Sequence, residues 1–300
     1  MSDLTVQPPS APASDPSAPA SRPPQPDWSP WTAPLALLGG LLLAAVGGLL
    51  VDVPAAALGV NVTGSHLPPG LQIADTAVQD AAFVLSALFF AQLGGRAVSA
   101  GRFGLRPTRL WRAVRLVALT LVGFLFFSLV WAAVFNVGKE KLLEQLGTGK
   151  STILLLLSAG LTCVIAPICE EFLFRGYIFT ALRNWRGVWP AAVITGVLFG
   201  GVHAGSAPAL DLLPLAGLGF ALCLLYEATG SLYPCIAAHS LNNSLAFASL
   251  EGWDWQFFPV LMLAALAAIG LLVLALVRAG VIGAETATLP RRPLPVQPEG

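Results

Sequence analysis

Charge is scarce in this chain. Asp, Glu, Lys and Arg make up 11% of the 300 residues, against about 25% in a typical soluble domain. That shortage excludes an ordinary water-soluble globule, because most of the surface must face something apolar. The formal net charge is zero, so no nucleic-acid partner is expected. Lysine is confined to Lys139, Lys141 and Lys150, and histidine to His66, His203 and His239. There is no HExxH, and none of the four cysteines (Cys163, Cys169, Cys223, Cys235) forms a CxxC. Neither a zincin helix nor a redox pair is therefore encoded. The cysteines lie in or beside apolar runs and read as small buried hydrophobes. A catalytic thiol at Cys169, which adjoins two carboxylates, is the alternative. Residues 1–31 lack the basic-then-apolar pattern of a cleaved signal peptide.

What the chain has in abundance is apolar sequence, 56% of all residues. Runs of about 20 such residues cross a bilayer as helices. Eight are recognisable, at about 33–53, 76–95, 113–135, 152–174, 188–204, 209–226, 232–249 and 257–278. The expected fold class is all-α, a polytopic helical membrane protein with about eight transmembrane helices. Its domain runs over 32–280 with a motif core at 152–245. A Pro/Ser/Ala-rich tail, 1–31, and a polar Pro-rich tail, 281–300, are expected to be disordered.

The basic residues orient the bundle. With the N-terminus inside, the inner segments hold all thirteen arginines and the outer segments only the three lysines. That is a strong positive-inside bias. All eight tryptophans fall at span ends, as an interfacial belt requires. Both termini are therefore expected in the cytoplasm. The Ala/Leu/Gly/Pro-rich usage points to a bacterial plasma membrane. The arginine-rich stretch "GGRAVSAGRFGLRPTRLWRAVR" reads as a topology signal.

Ionisable residues within spans cost about 2.5–3.5 kcal/mol each on insertion scales and mark functional sites. Here they sit in "CEEFLFRGYIF", "FGGVH" and "HSLNN". Glu171 and Arg175 are i,i+4, the favourable order for a helical ion pair. Glu170 is turned about 100° away and is left to face something else. Phe199 with His203, and His239 with Asn243, are also i,i+4. Glu170 and His203 are each about sixteen residues from a turn at Arg186–Gly187, which puts them opposite one another in an antiparallel hairpin. His239 and Asn243 lie at a compatible depth on another helix. Pro167 is expected to kink the helix beside the carboxylates. His66 falls in an outer loop and is expected to be idle.

A carboxylate beside an imidazole can hold and deprotonate a water. A second imidazole with an amide on the same face can stabilise an oxyanion. No serine is placed as a nucleophile, so direct attack of water on an amide fits the set.

"EEFLFR", "FGGVH" and "HSLNN" match the EExxxR, FxxxH and HxxxN motifs of the CAAX protease and bacteriocin-processing family. That family includes the type II CAAX prenyl endopeptidases. The resemblance covers about residues 75–278. It implies an eight-helix intramembrane glutamate protease without a cofactor. Glu170 and His203 would activate the water, and His239 and Asn243 would form the oxyanion site. Glu171 and Arg175 would support the site, and Phe199 is expected to pack beside it. The implied partners are a peptide or membrane-protein substrate and the lipid bilayer. The site is expected to open to the cytoplasm.

Two alternatives remain at this level. Glu170, His203 and His239 could ligate zinc with Glu171 as base. The same polar residues could instead belong to a non-catalytic scaffold or a transporter.

Overall fold

The structure, a computed structural model, describes residues 26–62, 67–93, 98–135 and 151–282. Most of both proposed tails, together with His66 and the three lysines, lies outside the described residues.

Each of the eight apolar runs is a helix. They are α1 (Thr32–Ala57), α2 (Pro69–Gln92), α3 (Leu110–Phe135), α4 (Thr152–Arg186), α5 (Val188–Gly201), α6 (Leu212–Thr229), α7 (Leu232–Leu250) and α8 (Phe257–Arg278). No strand occurs among the described residues. The fold is the expected all-α polytopic one. Six helices are long and apolar enough to cross a bilayer. The other two are α5, which has 14 residues, and α7, whose polar motif dilutes its apolar character. α3 has no buried residue, and α8 buries only Ala265 and Ile269. Their exposed leucines, valines and phenylalanines are what a lipid-facing surface needs.

Sequence and structure differ usefully at α2. The apolar run begins near residue 76, yet the helix starts at Pro69, where a missing N–H costs nothing. Its first turns carry Gln72, Asp75 and Thr76. These depress hydropathy but share one helical face, with period i, i+3, i+4.

α4 is a 35-residue helix that carries the carboxylates near its middle and ends at Gly187, whose φ of 81° suits glycine. Beside Pro167 the strain is relieved by π-helical turns, Leu161–Ile165 before it and Phe172–Phe179 after the carboxylates. Pro167 cannot donate a backbone bond to the preceding turn. The nearby carbonyls of Cys163 and Thr162 instead accept from Ser240 Oγ at 2.5 Å and Asn243 Nδ2 at 3.0 Å. The irregular backbone of α4 thus becomes the dock for α7.

α5 and α6 pack at backbone distance. A Cβ on Gly196 would lie 2.7 Å from Ala216 O, and one on Gly200 2.5 Å from Leu212 O. This Gly-xxx-Gly face is the membrane device for close helix approach. It brings Gly219 and Phe199 together beneath the site.

One end of the bundle is closed by aromatic packing. Trp28 lies against Phe103 and Tyr177, and Phe103 stacks on Phe172 at 4.1 Å. Residues 26–31, assigned to the tail on composition, are held there, since Asn184 Nδ2 donates to Pro26 O and Trp28 is buried.

Candidate functional site

The carboxylates, histidines and asparagine picked out from the sequence meet in one place. Glu170, His203, His239 and Asn243 all line a cavity of about 350 Å³, and Phe199 forms part of its wall. α4, α5 and α7 contribute one face, and Gln72, Asp75, Thr76 and Gln79 of α2 line it too.

Below the cavity lies a fully buried polar cluster. Arg175 Nη1 donates to Glu171 Oε1 at 2.9 Å, and neither side chain is exposed. Arg175 Nη2 donates to Gly219 O at 3.0 Å. Its guanidinium covers the Phe199 ring, 4.6 Å from the centroid. An arginine can satisfy a carboxylate, a carbonyl and a ring face at once, which a lysine cannot. The expected Glu171–Arg175 pair is therefore present, and the buried charge has an opposite partner.

The sequence did not reveal the next link. Glu171 Oε1 also receives His239 Nδ1 at 2.8 Å. The carboxylate can only accept, so Nδ1 carries the proton and the ring orientation is fixed. Nε2 is then the free nitrogen, 3.8 Å from Glu170 Oε2. That distance is beyond hydrogen bonding. Among the described residues Glu170 Oε2 has no hydrogen-bond partner, although the residue is buried.

His203 is oriented by backbone. Its Nδ1 donates to the Phe199 carbonyl at 2.8 Å, one helical turn back. A carbonyl also only accepts, so Nδ1 holds the proton and Nε2 keeps a lone pair. Phe199 packs between the two histidines, with its centroid 5.1 Å from His203 and 5.5 Å from His239. Its expected packing role thus has specific content: one ring backs both imidazoles and the arginine. Asn243 uses one amide N–H on Thr162 O. The other is available to the cavity.

Asp80 was also missed. It is buried on α2 within electrostatic reach of Glu170. Neither carboxyl oxygen has a hydrogen-bond partner among the described residues. An aspartate inside "TAVQDAAFVL" was the available signal. Cys169 is half-buried, and the other three cysteines are buried.

Among the described residues, no three His, Cys, Asp or Glu side chains are grouped so as to hold a metal ion. The zinc alternative would need Glu170, His203 and His239 to rearrange.

The cavity lies toward one end of the bundle. Its shallow lining comes from Leu67, before α2, and from Ala204 and Ser206, after α5. The arginines of the 3₁₀ segment and of α3 are at the opposite end, with the α4–α5 turn. The cavity's shallow lining and the first described residues, at Pro26, lie at opposite ends of the bundle. The turn expected at Arg186–Gly187 is where α4 ends. In this 35-residue helix Glu170 lies near the middle.

Comparison with known proteins agrees with the motifs. The family described as "Type II CAAX prenyl endopeptidase Rce1-like" matches residues 152–245, the stretch that contains every residue of the α4–α7 site. The "UPF0177 protein YxdF" of Lactococcus lactis subsp. lactis is 30% identical over 149 residues, covering 47% of this chain and 81% of that protein. The chain belongs to the CAAX protease and bacteriocin-processing family. Another family relative, "Putative membrane peptidase YdiL" of Bacillus subtilis, is 32% identical over 113 residues. That match covers 37% of this chain and 44% of the relative, so the chain spans less than half of its length. No solved structure matches. Family membership and the apolar helices make this an integral membrane protein.

Proposed function

We propose that the chain is an intramembrane endopeptidase that hydrolyses a peptide bond with a water activated by Glu170 and His203. The observation that carries this reading is the convergence of Glu170, His203, His239 and Asn243 on one cavity from α4, the turn after α5, and α7. The family match supports it.

The chemistry follows from what each side chain can do. His203 keeps a lone pair on Nε2, and Glu170 lines the same cavity with its carboxylate. Both can accept a proton, so together they can hold a water and orient its lone pair. Glu170 takes the proton as the water oxygen bonds to the carbonyl carbon. The carbonyl π pair moves onto oxygen and makes a tetrahedral oxyanion. Asn243 donates its second amide N–H to that oxyanion, and His239 donates from Nε2 when its ring carries both protons. Collapse breaks the C–N bond, and Glu170 returns its proton to the departing amine. Glu171 and Arg175 act as positioning residues, through Nδ1 of His239 and the packing under Phe199.

The reading needs no metal. Its steps run on Glu170, the two imidazoles and the Asn243 amide alone. The residues outside 32–280 are proposed to take no part in the chemistry. A bacterial plasma membrane and cytoplasmic termini fit the arginine distribution.

The test is peptidomics of cells expressing the wild type or Glu170→Gln at matched levels. Peptides that appear only with the wild type are expected. Identical profiles, with both proteins folded in the membrane, would favour a scaffold or transporter.

A further inference from the structure

The direction from which a substrate reaches this site can be read from three independent features. The first is the shape of the cavity. Its deep end is at Glu170 and His239, and its shallow end is at Leu67, Ala204 and Ser206. Ala204 is exposed, so the cavity reaches the surface there. Leu67 precedes α2 and Ser206 follows α5, so both belong to the end where α1 finishes and α6 begins. From that mouth, Gln72, Asp75, Thr76 and Gln79 form a polar path down α2 toward Glu170.

The second is the closure of the other end. Trp28, Phe103 and Tyr177 are buried against one another. The loop after the 3₁₀ segment is tied to the α6–α7 turn: Arg106 Nε donates to Gly230 O, Ser231 Oγ to Arg106 O, and Leu232 N to Gly104 O. A polypeptide arriving from that side would have to break this packing to reach Glu170.

The third is charge. Apart from the buried Arg175, every described arginine, from Arg102 to Arg278, lies at the closed end or in the helical turns next to it. The open end, among the described residues, carries Asp211, Glu251 and Asp254 and no arginine or lysine. Arginine-rich ends stay on the cytoplasmic side of a membrane.

We infer that the site opens to the non-cytoplasmic side of the membrane, and that its substrate is a peptide segment exposed on that side, such as an exported peptide or the outward-facing end of a membrane protein. This rests on the proposed peptidase reading and replaces the cytoplasmic entry expected from sequence. It removes cytoplasmic tails, prenylated ones included, from the substrate class.

The experiment is cysteine accessibility in cells, which needs no catalysis and therefore reports even if the peptidase reading is wrong. Ser206→Cys and Asp254→Cys mark the open end, and Arg109→Cys marks the closed end. All three are at loops or helix ends, so the fold should tolerate them. The unaltered protein supplies the background from its own cysteines, of which three are buried. A membrane-impermeant maleimide is expected to label residues 206 and 254 in intact cells, and residue 109 only after permeabilisation. Labelling of 109 in intact cells with protection of 206 and 254 would overturn the inference. So would labelling of all three from one side.

Discussion

His239 Nδ1 donates to Glu171 Oε1 across 2.8 Å, between residues 68 positions apart in sequence. The same carboxylate oxygen takes Arg175 Nη1 at 2.9 Å. The helix bearing EExxxR thus sets which face of the HxxxN histidine meets the cavity. Arg175→Ala leaves Glu171 as an uncompensated buried charge, and a loss of about 3–5 kcal/mol is expected. Thermal unfolding in detergent reads this directly. Arg175→Lys should recover only part of it, since lysine cannot span Glu171, Gly219 O and the Phe199 face together. Equal stability for wild type and Arg175→Ala would contradict the buried network.

Two bonds from α7 to the π-helical turn of α4 separate docking from chemistry. Ser240→Ala leaves the Cys163 carbonyl without its hydroxyl partner, and about 1–3 kcal/mol of stability is at stake. With no hydroxyl role in the reaction, the surviving folded protein should keep its turnover. Asn243→Ala removes a similar bond to Thr162 O and also an oxyanion donor, so its turnover should fall by about 10²–10³. Comparable turnover losses in the two variants, at equal folded fractions, would show that Asn243 does no more than dock the helix.

The α5–α6 contact predicts intolerance at Gly200. A Cβ there would lie 2.5 Å from Leu212 O, which is backbone and cannot rotate away. Gly200→Val should separate the helices, at a cost of at least about 1–3 kcal/mol from overpacking. Because α5 and α6 carry Phe199 and Gly219, activity should fall with stability. Gly201→Ala, with open space at its Cβ, is the matched control and should behave as wild type.

A metal-free mechanism predicts that chelators leave turnover unchanged. Purified protein treated with 1,10-phenanthroline and then dialysed should cleave at its original rate. Loss of activity that zinc restores would mean that Glu170, His203 and His239 close around an ion.

Much of the fold was legible because bilayer thickness imposes long apolar runs, and all eight runs became helices. The motif spacings also sufficed to place Glu170, His203, His239 and Asn243 together, since an i,i+4 pair shares a helical face. What escaped depended on tertiary partners or on averaging. Nothing local to "HSLNN" says that His239 turns Nδ1 toward Glu171. The first turns of α2 were hidden because Gln72, Asp75 and Thr76 lower a windowed hydropathy, although their spacing marks one lining face. Asp80 escaped for the same reason, a single aspartate inside an apolar run whose neighbour Glu170 comes from another helix.

The central claim is that Glu170 activates the water. The most direct test is turnover of purified wild type and Glu170→Gln on a peptide spanning a cleavage site recovered by peptidomics, with unfolding temperature measured on the same samples. Among the described residues Glu170 Oε2 has no hydrogen-bond partner that glutamine would lose, so the two proteins should unfold alike. Turnover by Glu170→Gln should fall by about 10²–10⁴, the contribution of a positioned base. Turnover within a factor of a few of wild type, at equal stability, would contradict the account and move the base to another residue.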